Sequence, residues 1–178
     1  MKLEFYSVNN EYISYLRKFD KKVTNNKIEN KNYGVEKLYT GILIEFEDFK
    51  YIAPLTSDKE EKLKIKKENT TFMKIYVKNE YKGSVNLNNM IPVNSNVIER
   101  VILNEIRIEK PKYADLLNMQ LSFLQLNEKK LLKKAKTLHD IVTKGKNERF
   151  IKISCNFILL EEKSIEWGLL KSKIPREK

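Results

Sequence analysis

Tyr51-Ile52-Ala53-Pro54-Leu55-Thr56-Ser57-Asp58-Lys59 is the most informative segment of the chain, because an apolar run ends in a proline followed by two hydroxyls and a lysine. Leu43, Ile44, Phe46, Phe49, Tyr51 and Ile52 read as two β-strands joined at Glu47-Asp48. Pro54 has no N–H to give a sheet ladder, so the second strand is expected to stop at Ala53. Thr56, Ser57 and Lys59 then stand where a rigid sheet passes into a loop, a place that offers directed donors and a cation to a phosphate or another anion. The plainer alternative is that Thr56 and Ser57 cap a following helix, with Glu60 at capping-box spacing after Ser57. Pattern alone favours the capping reading, since strand-end hydroxyls are common.

Working outward from that segment, strands are expected over Leu38 to Phe46 and Phe49 to Ala53. A hairpin over Phe72 to Val77 and Ser84 to Leu87 would turn through Asn79-Glu80-Tyr81-Lys82-Gly83. Met90-Ile91-Pro92-Val93 closes this pair, and Val97 to Ile108 reads as a further apolar extended stretch ended by Pro111. Upstream, Tyr12, Ile13, Leu16 and Phe19 recur at helical spacing after Asn9 and Asn10, which predicts a short helix over Glu11 to Lys21. The polar stretch from Thr24 to Val35 reads as a long loop. Downstream, Leu117, Leu121 and Leu124 form one helical stripe, and Leu131, Ala135, Leu138 and Val142 form another, so residues 113–144 are expected to be two helices or one bent near Asn127. Phe150 to Leu160 reads as a last strand, followed by a charged tail. The sum is an α+β chain built on a compact, strongly curled antiparallel sheet, a partial barrel, with an N-terminal helix and further helices in the C-terminal half.

The chain has 178 residues, enough for one domain with a real core, and 41% of them are hydrophobic, which argues against disorder. No apolar stretch is long enough to cross a bilayer, and the opening Met1-Lys2-Leu3-Glu4-Phe5-Tyr6 lacks a signal core, so a cytoplasmic location is expected. A lone cysteine, Cys155, forms no internal disulfide and is expected to be a small core residue. The lone histidine, His139, offers neither a zinc cluster nor a two-histidine acid/base pair, and is read as structural. The formal charge of +11 makes nucleic acid the first partner to consider. Part of the lysine excess fits an A/T-rich coding bias. A membrane surface ranks lower, since no lipid-facing helix accompanies the basic residues. A DNA-binding regulator ranks lower too, since no helix-turn-helix with a basic recognition helix can be read.

Three separated pieces, Lys50 to Lys59, Gly83-Ser84-Val85-Asn86-Leu87 with Met90 to Val93, and Cys155-Asn156-Phe157-Ile158-Leu159-Leu160-Glu161-Glu162-Lys163, stand in the order seen in one group of proteins. Together with Tyr6, Tyr12 to Leu16 and Phe19-Asp20, they make a chain that resembles the ToxN/AbiQ family of type III toxins up to Lys163. The resemblance implies a curled sheet of the Kid/MazF kind and an endoribonuclease that needs neither metal nor cofactor. Its implied substrates are A-rich single-stranded transcripts. Its implied partner is a small structured antitoxin RNA, cut from tandem repeats and held in the active-site groove of a closed toxin–RNA assembly that protects a bacterial population against phage.

The family's active-site threonine, serine and lysine fall on Thr56, Ser57 and Lys59, and its upstream tyrosine and lysine on Tyr33 and Lys37. Asp58 departs from many relatives, which carry proline there. In this reading the RNA's own 2′-hydroxyl attacks, leaving a 2′,3′-cyclic phosphate and a 5′-hydroxyl, while Lys37, Thr56, Ser57 and Lys59 stabilise charge and move protons. Tyr33 would stack on a base or donate to phosphate. Asn86, Tyr113, Lys129, Lys130 and Lys133 are further candidate RNA contacts, against the plainer readings of a turn-satisfying asparagine and a solvated lysine face. A non-catalytic RNA-binding module is the rival class, served by the same charge and tyrosines.

Overall fold

The computed structural model describes residues 3–25, 40–46, 49–56 and 69–172. Among them the chain runs β1 (Phe5–Val8), α1 (Asn10–Phe19), β2 (Thr40–Phe46), β3 (Phe49–Thr56), β4 (Phe72–Val77), β5 (Glu80–Asn86), β6 (Ile91–Val93), β7 (Ile98–Arg100), α2 (Leu103–Glu109), α3 (Pro111–Leu126), α4 (Glu128–Thr143), α5 (Glu148–Ile153) and α6 (Phe157–Ser172). The fold is α+β, with a sheet of seven antiparallel strands in the order β4-β5-β3-β2-β1-β7 and β6 added on β3.

Pro54 does not end its strand. β3 runs on to Thr56, with Pro54 opposite Gly41 on β2. On its other edge β3 pairs with β6 through Lys50 to Ile52 and with β5 through Leu55 and Thr56, so Ala53 and Pro54 occupy the gap between the two partners. A residue without an N–H is tolerated where a ladder is interrupted. The hairpin is also tighter than its sequence suggested: Val77 pairs with Glu80, and Lys78 and Asn79 alone make the turn, at φ 50° and 64°. Two successive left-handed residues are the mark of a type I′ turn, whose twist matches that of the strands it joins. Gly83 therefore lies inside β5, opposite Ile75, and the register shifts next to it because Tyr76 pairs with Tyr81 and Lys82 is passed over.

Helices replace extended chain at two places. Val97 to Ile108 contributes only the three-residue β7 before α2 begins at Leu103, and Leu103 and Ile106, one turn apart, pack against the core. Phe150 to Leu160 is two helices broken at Ser154-Cys155-Asn156, and α6 continues through the segment read as a charged tail. Asn147 Oδ1 accepts from Phe150 N at 3.1 Å at the start of α5, and Asp20 Oδ2 accepts from Asn156 N at 2.7 Å just before α6. The buried positions Phe157, Leu160 and Ser164 then recur every three or four residues, and Trp167 continues the series onto α1, its ring 4.9 Å from Tyr15 and 5.7 Å from Tyr12. Short runs rich in isoleucine and phenylalanine fit both periods until a partner surface decides.

Elsewhere the expected elements form where the periodicity put them. Asn9 caps α1 by accepting from Glu11 N at 2.8 Å and Tyr12 N at 3.1 Å, and Tyr12, Ile13 and Leu16 are buried. Tyr12 donates to Pro92 O at 2.7 Å, which ties α1 to β6. The two long helices meet at Asn127, with Leu117 and Leu124 of α3 and Leu131, Ala135 and Leu138 of α4 in the core. Cys155 is buried, as expected, though in the break between α5 and α6, where burial pushes its thiol up to about 12. No helix among the described residues is long and apolar enough to cross a membrane.

A polar knot closes the core beside β3. Tyr51 of β3, fully buried, donates to Glu161 of α6, and His139 of α4 donates from Nε2 to the same carboxylate oxygen at 2.9 Å. Because a carboxylate only accepts, the bond assigns the imidazole proton to Nε2. His139 also stacks on Phe157, with centroids 5.5 Å apart and planes 16° from parallel. This is the structural role expected for it. Burial pushes the Glu161 carboxyl up, but the bonds from His139 and Tyr51 outweigh it and hold the group below the ordinary range. A depressed carboxylate contributes stability that is full above its unfolded value of about 4.3 and lost as pH falls through the folded value. Urea titrations from pH 7 to pH 3 are therefore expected to show a shallower acid loss in Glu161→Gln than in the unmodified chain. Parallel pH profiles would contradict this.

Candidate active site

β3, β5 and β4 bring the site residues together through their register. Thr56 ends β3 opposite Ser84 of β5, and Ser84 stands opposite Lys74 of β4. Residues directly opposite in adjacent strands share a face, so Thr56, Ser84 and Lys74 make one row across three strands. Asn86, two residues after Ser84, extends the same face, and Ser84 Oγ donates to its Oδ1 at 3.2 Å. Two predicted site residues, Thr56 and Asn86, are thus joined through a serine that sequence reasoning did not single out.

Gly83 sets the spacing of this junction. Its φ is 127°, and an added Cβ would lie 2.5 Å from Thr56 O and 2.8 Å from Gln120 Nε2. Any larger residue would be strained by its backbone and would push β5 away from the end of β3. Gln120 of α3 donates to Lys82 O at 2.6 Å, so a helix is tied to the hairpin beside β3.

Ser57, Lys59, Tyr33 and Lys37 lie outside the described residues. Tyr113 stands in the first turn of α3, half-exposed, on a different element from the Thr56 row. Lys129, Lys130 and Lys133 are exposed on α4. One lysine of that helix leaves the solvated face: Lys134 donates to Phe72 O at 2.9 Å, and Phe72 is the register partner of Asn86. α4 is therefore anchored to the β4–β5 end that carries Asn86, with its exposed lysines on the flank. The sequence signal for Lys134 was only its offset from the neighbouring lysines along the helix.

The arrangement supplies a hydroxyl at a strand end, a buried serine and an amide beside it, one enclosed lysine in the same row and a lysine-bearing helix docked on the same hairpin. Hydroxyls and ammonium groups are donors suited to phosphate oxygens. The family described as Toxin ToxN, type III toxin-antitoxin system, matches residues 4–164. The chain belongs to the ToxN family. Endoribonuclease ToxN of Pectobacterium atrosepticum is 34% identical over 169 residues, covering 93% of this chain and 94% of that protein. Endoribonuclease AbiQ of Lactococcus lactis subsp. lactis is 32% identical over 171 residues, covering 92% and 88%. Among solved structures, AbiQ, described as a lactococcal anti-phage endoribonuclease of a type III toxin-antitoxin system, superposes with a TM-score of 0.80 at 29% identity over 94% of this chain and 99% of that one. A toxin described as selectively inhibited by a non-coding RNA pseudoknot gives 0.79 at 28% identity, over 94% and 99%. The family match, residues 4–164, spans the three strands that carry the row.

Proposed function

We propose that this chain is a metal-independent endoribonuclease toxin of a type III toxin–antitoxin system, which cuts single-stranded A-rich RNA and trims and binds a repeat-derived antitoxin RNA. The observation that carries the reading is membership of the ToxN family over nearly the whole chain, among relatives named endoribonucleases. The register supports the site. Gly41 is paired with Pro54, so the start of β2 lies beside the end of β3. Lys37 precedes Thr40 by three residues, and Lys59 follows Thr56 by three.

The chemistry follows from those residue types. The 2′-oxygen attacks the adjacent phosphorus as its proton leaves to a base, the bond to the 5′-oxygen breaks, and that oxygen takes a proton. In this scheme one of Lys37 and Lys59 accepts the first proton and the other donates the second. Thr56 and Ser57 hold the non-bridging oxygens, whose negative charge grows in the phosphorane. Tyr33 stacks on a base. Ser57 is not a covalent nucleophile in this scheme, since His139, the chain's one histidine, is spent in the knot with Glu161.

The toxin and its RNA form a closed assembly in the cytoplasm, and release of the toxin halts growth during phage attack. The domain is single, and its sheet curls into a partial barrel. The handover of the β3 edge from β6 to β5 supports that curl. Asn86, Tyr113, Lys129, Lys130 and Lys133 contact the antitoxin. Replacing the three lysines with alanine together is expected to flatten the salt dependence of antitoxin binding by about 0.7 in log–log slope for each lost phosphate contact. An unchanged slope would remove α4 from the interface. The proposal as a whole is tested by induced expression in a bacterial host with and without the repeat-bearing RNA encoded beside the toxin. Growth arrest relieved by that RNA is expected, and unimpeded growth without it overturns the reading.

A further inference from the structure

The buried stripe of α3 has an amide in it. Gln120 stands between Leu117 and Leu124, is 2% exposed, and occupies a position where a third leucine would continue the core. Burying an amide is costly unless it is hydrogen-bonded, so a glutamine kept there has a partner to serve. That partner is the carbonyl of Lys82, which accepts from Gln120 Nε2 at 2.6 Å. Lys82 is the residue that the β4–β5 ladder passes over: Tyr81 and Ser84, three residues apart, stand opposite Tyr76 and Lys74, two residues apart. A bulge leaves its extra residue outside the ladder and shifts the phase of the strand beyond it. Beyond this bulge β5 meets β3, with Ser84 opposite Thr56. Gly83, between the bulge and Ser84, has both neighbours against it, since a Cβ there would lie 2.5 Å from Thr56 O and 2.8 Å from Gln120 Nε2. If the bulge annealed, β5 would slip by one residue against β4, and Ser84 would stand opposite Met73 with its side chain on the other face.

We propose that Gln120 is a positioning residue of the RNA site: by holding the Lys82 bulge it fixes the phase in which β5 meets the end of β3, and with it the placement of Thr56. This rests on the reading of Thr56 as one wall of the phosphate site. Gln120 itself touches no substrate. A group displaced by about 1 Å can cost a factor of about 10² in rate. A donor that acts on charge growing in the transition state shows its loss in kcat. Removing the Gln120 amide therefore lowers kcat and leaves KM nearly unchanged.

The test uses Gln120→Met, which keeps the length of the side chain and removes the donor, with Thr56→Ala and the double variant, on an A-rich single-stranded RNA oligonucleotide. Gln120→Met is expected to unfold cooperatively in urea and, while folded, to lose about 10- to 100-fold in kcat. Thr56→Ala is expected to cost much less in the Gln120→Met background than in the unmodified chain, because both changes act on one donor. A glutamine that served packing alone would lower the urea midpoint but leave the kcat of the folded protein, and the cost of Thr56→Ala, as they were. Unchanged kcat in folded Gln120→Met, a loss carried by KM, or the same cost of Thr56→Ala in both backgrounds overturns the proposal. Loss in Thr56→Ala without loss in Gln120→Met overturns the proposal only, whereas no loss in Thr56→Ala overturns the reading of Thr56 as well. Should Gln120→Met not fold, Gln120→Glu takes its place, since a carboxyl group donates to Lys82 O only when protonated. Its kcat relative to the unmodified chain is expected to rise as pH is lowered from about 8 to about 5, the range in which a buried carboxyl titrates. A ratio that does not change with pH overturns the assignment.

Discussion

Ser57→Ala and Lys59→Ala will each abolish growth arrest in a host that lacks the antitoxin RNA, with cleavage falling about 10²- to 10³-fold in kcat. The size follows from where charge develops. A phosphorane carries more negative charge on its non-bridging oxygens than the ground-state phosphate does, so a fixed hydroxyl or ammonium donor contributes mainly in the transition state. Thr56, next to Ser57, is held by its pairing with Ser84 and by the close approach of Gly83 to its carbonyl. A donor fixed before the reaction costs no reorganisation when it occurs. The double variant is expected to lose much less than the product of the two single losses, because both act on one phosphate. Full toxicity in either single variant, with protein expressed at the normal level, would remove that residue from the site.

Phe157→Ala will lower the stability of the fold by about 3 to 5 kcal/mol, close to the whole margin of a small domain. Phe157 is 0% exposed at the start of α6, stacks on His139, and meets Tyr51 edge-on with centroids 6.0 Å apart and planes at 78°. Truncation leaves a cavity under the Tyr51–His139–Glu161 knot, where β3, α4 and α6 meet. Since β3 ends in Thr56, the same change is expected to loosen the site as well as the core. Urea unfolding should show the loss as a lower midpoint with an unchanged slope. A midpoint within the error of the unmodified protein would mean that α6 does not carry the core packing assigned to it.

Where a hydrophobic stripe was long, its period was legible in the sequence. Leu117 with Leu124, and Leu131 with Ala135 and Leu138, sit in the core as their spacing indicated, and Asn127 divides the two helices. Short stripes were not. Phe150 to Leu160 alternates isoleucine and phenylalanine with polar residues closely enough to pass for a strand, and only the caps at Asn147 and Asp20 and the surface offered by α1 and α4 make it two helices. Pro54 misled for a related reason. The rule that proline ends a ladder is sound, but it cannot reveal that β3 changes partners at that residue.

In the site, the motif from Thr56 to Lys59 stood out only through its resemblance to a family, since strand-end hydroxyls are common. Asn86 came with the same resemblance, and the structure joins it to Thr56 through Ser84. Lys74 was illegible. Flanked by two apolar residues it matches a solvent-facing lysine of an amphipathic strand, and its burial depends on what covers the second face of the hairpin. The bond from His139 to Glu161 was illegible as well, because it joins residues 22 positions apart on different helices.

The most direct measurement is the chemistry of the ends made from a single-stranded A-rich RNA by the purified protein in excess chelator. Products with a 2′,3′-cyclic phosphate and a 5′-hydroxyl, formed by the unmodified chain and lost in Ser57→Ala, are the predicted result. Intact RNA that is nonetheless tightly bound, or cleavage that returns only on adding a divalent cation, would contradict it.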